Sequence, residues 1–196
     1  MNEHVSQSHP ASWGWGKHLA VLGTAALVIW ALVGQNPRAA RAKRKRTMSE
    51  RMAHQIAHAL DAYRREYGGF PTGPAEVTPL PTLEELTNAL TGADATANPR
   101  RIDFLAEIRQ LGQSDEVLVP GLLRHPEGAA IVDAWRQPLR VLIDADGDGL
   151  IPNPQPGAHP RVLDARVLVW SGGVDGDEWT WEDNLGSWPI TRRPAP

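Results

Sequence analysis

The run Leu19–Val33 is uncharged and mostly apolar. No other segment narrows the folding options as much, because such a stretch must be kept from water. As a helix it measures about 22 Å, short of a hydrocarbon core of about 30 Å. Extended from Trp13 to Gln35 it is long enough, with Trp13 and Trp15 as interfacial rings and Lys17 reaching for the headgroups. The sequence therefore predicts a transmembrane anchor over residues 13–36, after a flexible N-terminus over 1–12. The competing reading is a cleaved signal peptide cut at Ala40-Arg41-Ala42. It fits less well, with Pro37, Arg38 and Arg41 between the apolar run and the cut.

Charge divides the chain sharply. Arg38, Arg41, Lys43, Arg44, Lys45 and Arg46 form a basic cluster directly after the anchor. Residues 47–196 carry 13 Lys/Arg and 22 Asp/Glu, a net of −9. A basic neck next to an apolar run is expected to meet phospholipid headgroups. The acidic body argues against nucleic acid as a partner, since it would repel phosphate. There are no cysteines, which excludes disulfides, thiolate metal sites and cysteine nucleophiles.

Residues 37–69 read as this neck continuing into an amphipathic helical stem. Met48, Met52, Ile56, Leu60, Tyr63 and Tyr67 recur at three- and four-residue spacing, and Gly68-Gly69 is a stop signal. Thr82-Leu83-Glu84-Glu85 is a capping box opening a short helix with Leu83, Leu86 and Leu90 on one face, ended by Gly92. A further short helix is expected within Ile102–Leu111. Leu139–Ile143 and Arg166–Trp170 are β-rich runs bounded by turn residues and predict an antiparallel pair. A disordered tail is expected over 192–196.

The sharpest chemical constellation is Asp144-Ala145-Asp146-Gly147-Asp148-Gly149-Leu150-Ile151. Carboxylates at alternate positions followed by glycine repeat the first half of an EF-hand calcium loop. Leu150 would add its carbonyl; Gln155 stands where the bidentate Glu would be. The bland alternative is a tight turn made of turn-forming residues. Three carboxylates in five residues repel one another without a cation, so calcium is the favoured expectation. A second acidic, glycine-rich loop follows the last strand, Ser171-Gly172-Gly173-Val174-Asp175-Gly176-Asp177-Glu178. There Asp175, Asp177 and Asp183 could ligate, with the Gly172 carbonyl. His54 and His58 lie on one helix face and mimic a zinc-protease motif, but Gln55 replaces the general base and no third ligand is evident. No nucleophile elbow, phosphate loop or dinucleotide fingerprint is present. The chain is expected not to be an enzyme.

In this order the elements resemble the major pseudopilin of type II secretion systems, over roughly residues 48–188. The most specific blocks are Tyr63 to Tyr67-Gly68-Gly69-Phe70-Pro71 and Asp133-Ala134-Trp135-Arg136-Gln137-Pro138-Leu139. Asn98-Pro99, the Asp144–Gly149 insertion, Trp170-Ser171-Gly172-Gly173 and Asp183-Asn184-Leu185-Gly186-Ser187-Trp188 add to the likeness. Two features depart from it. The family's Asp-Pro-Trp-Gly is here Asp133-Ala134-Trp135-Arg136, and no Glu follows Gly14 or Gly16 at the position used in assembly.

The resemblance implies an α+β, pilin-like lollipop: a long N-terminal helix, anchor plus stem, packed on a small antiparallel sheet, with the globular domain over 70–191. It implies a structural subunit that joins itself or other pilin-like subunits through the N-terminal helix and works with inner-membrane secretion machinery. It also implies calcium in the last loop, on Gly172, Asp175 and Asp183. The alternative is a membrane-tethered binding module with the same head that never polymerises. The basic cluster alone would put the head in the cytoplasm. The calcium loops favour a single-pass inner-membrane protein with a periplasmic head, and that is the orientation expected.

Overall fold

The computed structural model describes residues 37–71, 80–81, 84–108, 121–125 and 128–190. The expected N-terminus, the anchor over 13–36 and the tail over 192–196 lie outside them. Among the described residues no helix is long and apolar enough to cross a membrane. The chain divides into two compact units, 1–41 and 42–196. In the first, the described residues 37–41 are helical. The architecture that follows is that of the second.

Helix α1 spans Pro37–Tyr67 among the described residues. Its buried residues are Ser49, Met52, Ala53, Ile56, Ala59, Leu60 and Tyr63. This is the predicted stripe, with Met48 and Tyr67 half-buried at its ends. Arg64 and Arg65 occupy the last turn, where positive charge complements the helix dipole. Gly68 then takes a left-handed φ of 78° and its N–H returns to the Arg64 carbonyl at 2.8 Å.

After β1 (Leu80–Pro81), helix α2 (Glu84–Thr91) carries Glu84 and Glu85 in its first turn and buries Leu86, Thr87, Ala89 and Leu90. Six strands follow: β2 (Gly121–His125), β3 (Gly128–Val132), β4 (Arg140–Ile143), β5 (Leu150–Pro152), β6 (Val162–Asp164) and β7 (Val167–Ser171), and then β8 (Leu185–Gly186). The main sheet has the order β1-β4-β7-β8, all antiparallel. The pairs β2–β3 and β5–β6 form separate two-stranded ribbons. The protein is thus α+β, with one long helix and small antiparallel sheets.

The central strands β4 and β7 are buried on both faces of the main sheet, which explains why they read as unbroken apolar runs. Val141 and Ile143 of β4 and Val167 and Val169 of β7 point to the α1 stripe, joined by Leu86, Leu90, Leu105 and Ile131. Leu142, Leu168 and Trp170 point the other way, onto Ile151, Trp181 and Trp188. The three indoles pack with centroids 5.9–6.2 Å apart. Trp181 and Trp188 are therefore core, and of the aromatics near the end of the chain Trp179 is the exposed one.

The helix expected from Ile102 starts later; residues 106–108 are helical. Arg101 adopts a left-handed φ of 52°, and the Asn98 side chain occupies both backbone groups of Ile102. Asp103 then accepts from the Leu105 N–H at 3.1 Å, as a cap does.

Gly92 illustrates how closely these turns pack. Its φ is +76°, and a Cβ there would sit 2.7 Å from the Arg101 carbonyl carbon. Gly92→Ala combines left-handed strain with a backbone clash, so a loss of about 2–4 kcal/mol is expected in urea unfolding. Gly69→Ala, in open space at an ordinary φ, serves as the neutral comparison.

Candidate functional site

The two acidic loops lie at opposite ends of the β4–β7 ladder. Ile143 pairs with Val167 at one end and Arg140 with Trp170 at the other. The first loop leaves beyond Ile143 and the second beyond Ser171. About 13 Å of strand separates them, at about 3.4 Å per residue. They are two sites, not two halves of one.

In the first loop, the ladder continues one bond past the strand, from the Asp144 N–H to the Arg166 carbonyl at 2.9 Å. That bond fixes the root of the loop. Asp144 is buried, and its carboxylate accepts from the Gly147 N–H at 2.8 Å and the Gly149 N–H at 2.9 Å. Gly147 and Gly149 have φ of 80° and 83°, a conformation that favours glycine and closes the loop around the carboxylate. Asp148 accepts from the Leu150 N–H at 2.7 Å, and Asp146 from the Asp148 N–H at 3.3 Å. One carboxylate oxygen each from Asp144, Asp146 and Asp148 lies within 4.8 Å of the others. Arg166 stands 3.6 Å from Asp144 and offsets part of this charge.

Leu150 opens β5 opposite Asp164. The ribbon is bonded from the Ala165 N–H to the Gly149 carbonyl at 3.0 Å and from the Asn153 N–H to the Arg161 carbonyl at 2.8 Å. Antiparallel alternation then turns the Leu150 N–H and carbonyl away from β6. The N–H is used by Asp148, and the carbonyl belongs to the same side. An all-oxygen set of this kind suits a hard cation such as calcium, and suits zinc poorly.

The second loop is held from beneath. Ser171 donates its hydroxyl to the buried Asp133 carboxylate and accepts from the Gly173 N–H at 3.0 Å. The other Asp133 oxygen accepts from the Trp135 and Gln137 N–H groups at 2.8 and 2.9 Å. Gly173 has φ +69°, and a Cβ there would lie 2.5 Å from the Asp183 carboxylate. That carboxylate accepts from the Val174 N–H and, at 3.4 Å, the Asp175 N–H. Asp175 accepts from the Asp177 N–H and the Thr180 hydroxyl, and Asp177 from the Trp179 N–H. The Gly172 carbonyl accepts from the Gly176 N–H at 3.2 Å. Arg140 reaches across to both oxygens of Glu178, each at 3.1 Å.

The proposed ligands of this loop are thus engaged as turn acceptors. Among the described residues, the convergent set of three carboxylates is the one in the first loop. His54 and His58 are exposed on α1 and belong to no such set. Ser49, whose Oγ accepts from the Ala134 N–H at 3.0 Å, was not singled out in the sequence, and Asp133 and Ser171 were named there only as parts of motifs, without this supporting role. Their signal is a buried polar group far from its partner in sequence, which spacing cannot reveal.

Two carboxyls are shifted in opposite directions. The Thr180 hydroxyl and then the Asp177 N–H hold Asp175 below its ordinary value. Burial pushes Asp133 up, against the opposing pull of Ser171, the Gln137 and Trp135 N–H groups and Lys45. A carboxyl raised in the folded state binds its proton before the unfolded chain does. Its contribution to stability therefore grows as pH falls through the folded value toward the unfolded one. The stability of the native chain relative to Asp133→Asn is expected to rise as pH drops from 7 toward 4. Thermal unfolding of both across that range checks the sign.

No protein-family model, curated protein or solved structure matches this chain.

Proposed function

We propose that the chain is a pseudopilin-like structural subunit of a type II secretion or type IV pilus-like assembly, held in the bacterial inner membrane by residues 13–36, with a periplasmic head. The observation that carries this reading is the long amphipathic helix seated by one stripe on a small antiparallel sheet whose two ends bear acidic, glycine-rich loops. This is the arrangement that the resemblance of residues 48–188 implies. The subunit works by assembly and not by catalysis. Its partners are further copies or other pilin-like subunits, the inner-membrane secretion machinery, and lipid headgroups at the basic neck.

Calcium is the proposed cofactor. Asp144, Asp146, Asp148 and the Leu150 carbonyl would hold it in the first loop. In the second, Asp175, Asp177, Asp183 and the Gly172 carbonyl would do so after exchanging turn hydrogen bonds for metal contacts. Bound calcium would supply positive charge that offsets carboxylate repulsion and ties each loop to its end of the sheet.

Amine-directed crosslinking of the full chain in its native membranes tests the reading. A ladder of multiples is expected. A single monomeric band would favour the second reading, a tethered binding module, for which Val174 and Trp179, 62% and 59% exposed on the second loop, would form the contact.

A further inference from the structure

The turn over residues 133–137 lies between β3 and β4 and packs on α1. Within it the Arg136 N–H donates to the Asp133 carbonyl at 3.1 Å, and the Asp133 N–H to the Gln137 carbonyl at 2.9 Å. The Ala134 N–H ties the turn to Ser49 of α1. From the same helix the Lys45 Nζ stands 5.8 Å from the centroid of the Trp135 ring.

Arg136 is the strained residue of this turn. Its φ is 68°, a left-handed conformation that costs a residue with a Cβ and that glycine adopts freely. Glycine holds this place in the motif that the segment resembles. Arg136 is exposed, and among the described residues no carboxylate pairs with its guanidinium. Strain kept for a side chain that serves no contact within the fold points to a contact outside it.

The surroundings give the chemistry of that contact. Lys43 and Arg44 are exposed and Arg46 is half-exposed, and among the described residues none of them pairs with a carboxylate. Trp135 is half-buried beneath Lys45, with part of its ring open to the outside. The carboxylate of this turn, Asp133, is buried and turned inward onto Ser171 and the N–H groups of Trp135 and Gln137. Gln137 stands between the turn and the second acidic loop, its side chain 3.4 Å from where a Cβ on Gly176 would lie. Free cations flanking an indole suit a phosphate layer above hydrocarbon: the cations meet phosphate, and the indole spans the polar–apolar boundary. The chain also favours a bilayer over an acidic protein. A tether of about ten residues joins the end of the proposed anchor to Arg46, so contact with that membrane is made at high effective concentration.

We propose that the Trp135–Arg136 turn of the head, with Lys45 and the neighbouring basic residues of α1, docks on the surface of an anionic phospholipid bilayer. The inference rests on the membrane-held reading of residues 13–36 and holds whether or not the chain polymerises.

The test places the full chain in vesicles of phosphatidylglycerol and phosphatidylcholine, or of phosphatidylcholine alone, each with a nitroxide-headgroup lipid as quencher. Chelator is present throughout, so that calcium forms no bridges to lipid. The chain has no native cysteine, so a fluorophore on Gln137→Cys reports the turn and one on Ala145→Cys, in the loop at the other end of the β4–β7 ladder, is the comparison. Quenching at residue 137 is expected in the anionic vesicles and not in the neutral ones, with residue 145 unquenched in both. Arg136→Gly is expected to lower the docked fraction about fivefold, and Arg136→Lys to restore most of it. Arg136→Gly should melt no lower than the native chain, since glycine relieves the backbone, which separates lost docking from lost folding. Equal quenching in both vesicle types, or quenching unchanged in Arg136→Gly, overturns the inference. A label at residue 137 that is unquenched in vesicles, and shielded only in native membranes, assigns the turn to an acidic protein and overturns it as well. In either case a chain that floats with the vesicles leaves the membrane-held reading standing. A chain that floats with no vesicle overturns that reading and the inference with it.

Discussion

Asn98→Ala is expected to lower the thermal midpoint by roughly 10 °C. Asn98 is fully buried, and every polar atom of its side chain is used. Its Nδ2 donates to the Ala89 carbonyl at 2.8 Å and the Ile102 carbonyl at 2.7 Å. Its Oδ1 accepts from the Ile102 N–H at 3.0 Å and the Tyr67 hydroxyl at 2.6 Å. One side chain thus ties the last turn of α2, the turn before residue 106 and the end of α1. Alanine would leave two carbonyls, one N–H and one hydroxyl without these partners in a tightly packed site. Each such group costs about 1 kcal/mol, so a total of about 4 kcal/mol is expected. Tyr67→Phe removes only the hydroxyl contact and should cost about 1 kcal/mol. The ring would keep its packing on Tyr63 and Phe104. A loss in Asn98→Ala no larger than in Tyr67→Phe would show that this hub does not hold the three elements together.

Calcium is expected to have the second large effect. At a free concentration about a hundredfold above the dissociation constant, binding to the folded form alone adds about 2.7 kcal/mol. For a domain of this size that is a rise of roughly 5–10 °C over the chelated protein. Asp146→Asn with Asp148→Asn should abolish the part due to the first loop. Without calcium the same double variant should be no less stable than the native chain, because it removes two exposed charges that repel Asp144. Asp175→Asn separates the contribution of the second loop. It also removes an acceptor of the Thr180 hydroxyl, so it carries a small calcium-independent cost. A midpoint that calcium and chelator leave unmoved would exclude metal at both loops. Magnesium, which demands tighter octahedral geometry and gives up water reluctantly, should stabilise less at equal concentration.

What the sequence disclosed followed from how local the signal was. The α1 stripe depends on spacing within one helix, so Met52, Ile56, Leu60 and Tyr63 were recognisable as buried. The central strands were recognisable because burial on both faces makes them apolar throughout; their bounds differ by one residue from those expected. The ribbon of β5 and β6 was not. Its strands are three residues each, one ends in Pro152, and they lie inside a turn-rich segment. The hairpin of β2 and β3 was missed because Gly128-Ala129-Ala130 has little β-branched character. Asp144, Asp146 and Asp148 converge because they are near neighbours in sequence, so alternation alone located them. Asp183 reaches the second loop from the far side of Trp179 and Trp181, and only the fold shows its carboxylate on the Val174 and Asp175 N–H groups. The support of that loop by Asp133 through Ser171, 38 residues away in sequence, was out of reach for the same reason.

We propose above that this is a subunit built to assemble. Sedimentation of the full chain, extracted into mild detergent with calcium present, measures this most directly across a range of protein concentrations. A distribution that moves to larger oligomers as concentration rises, and recedes when calcium is chelated, is the predicted result. A chain that remains strictly monomeric at every concentration, with and without calcium, would rule out assembly as its function.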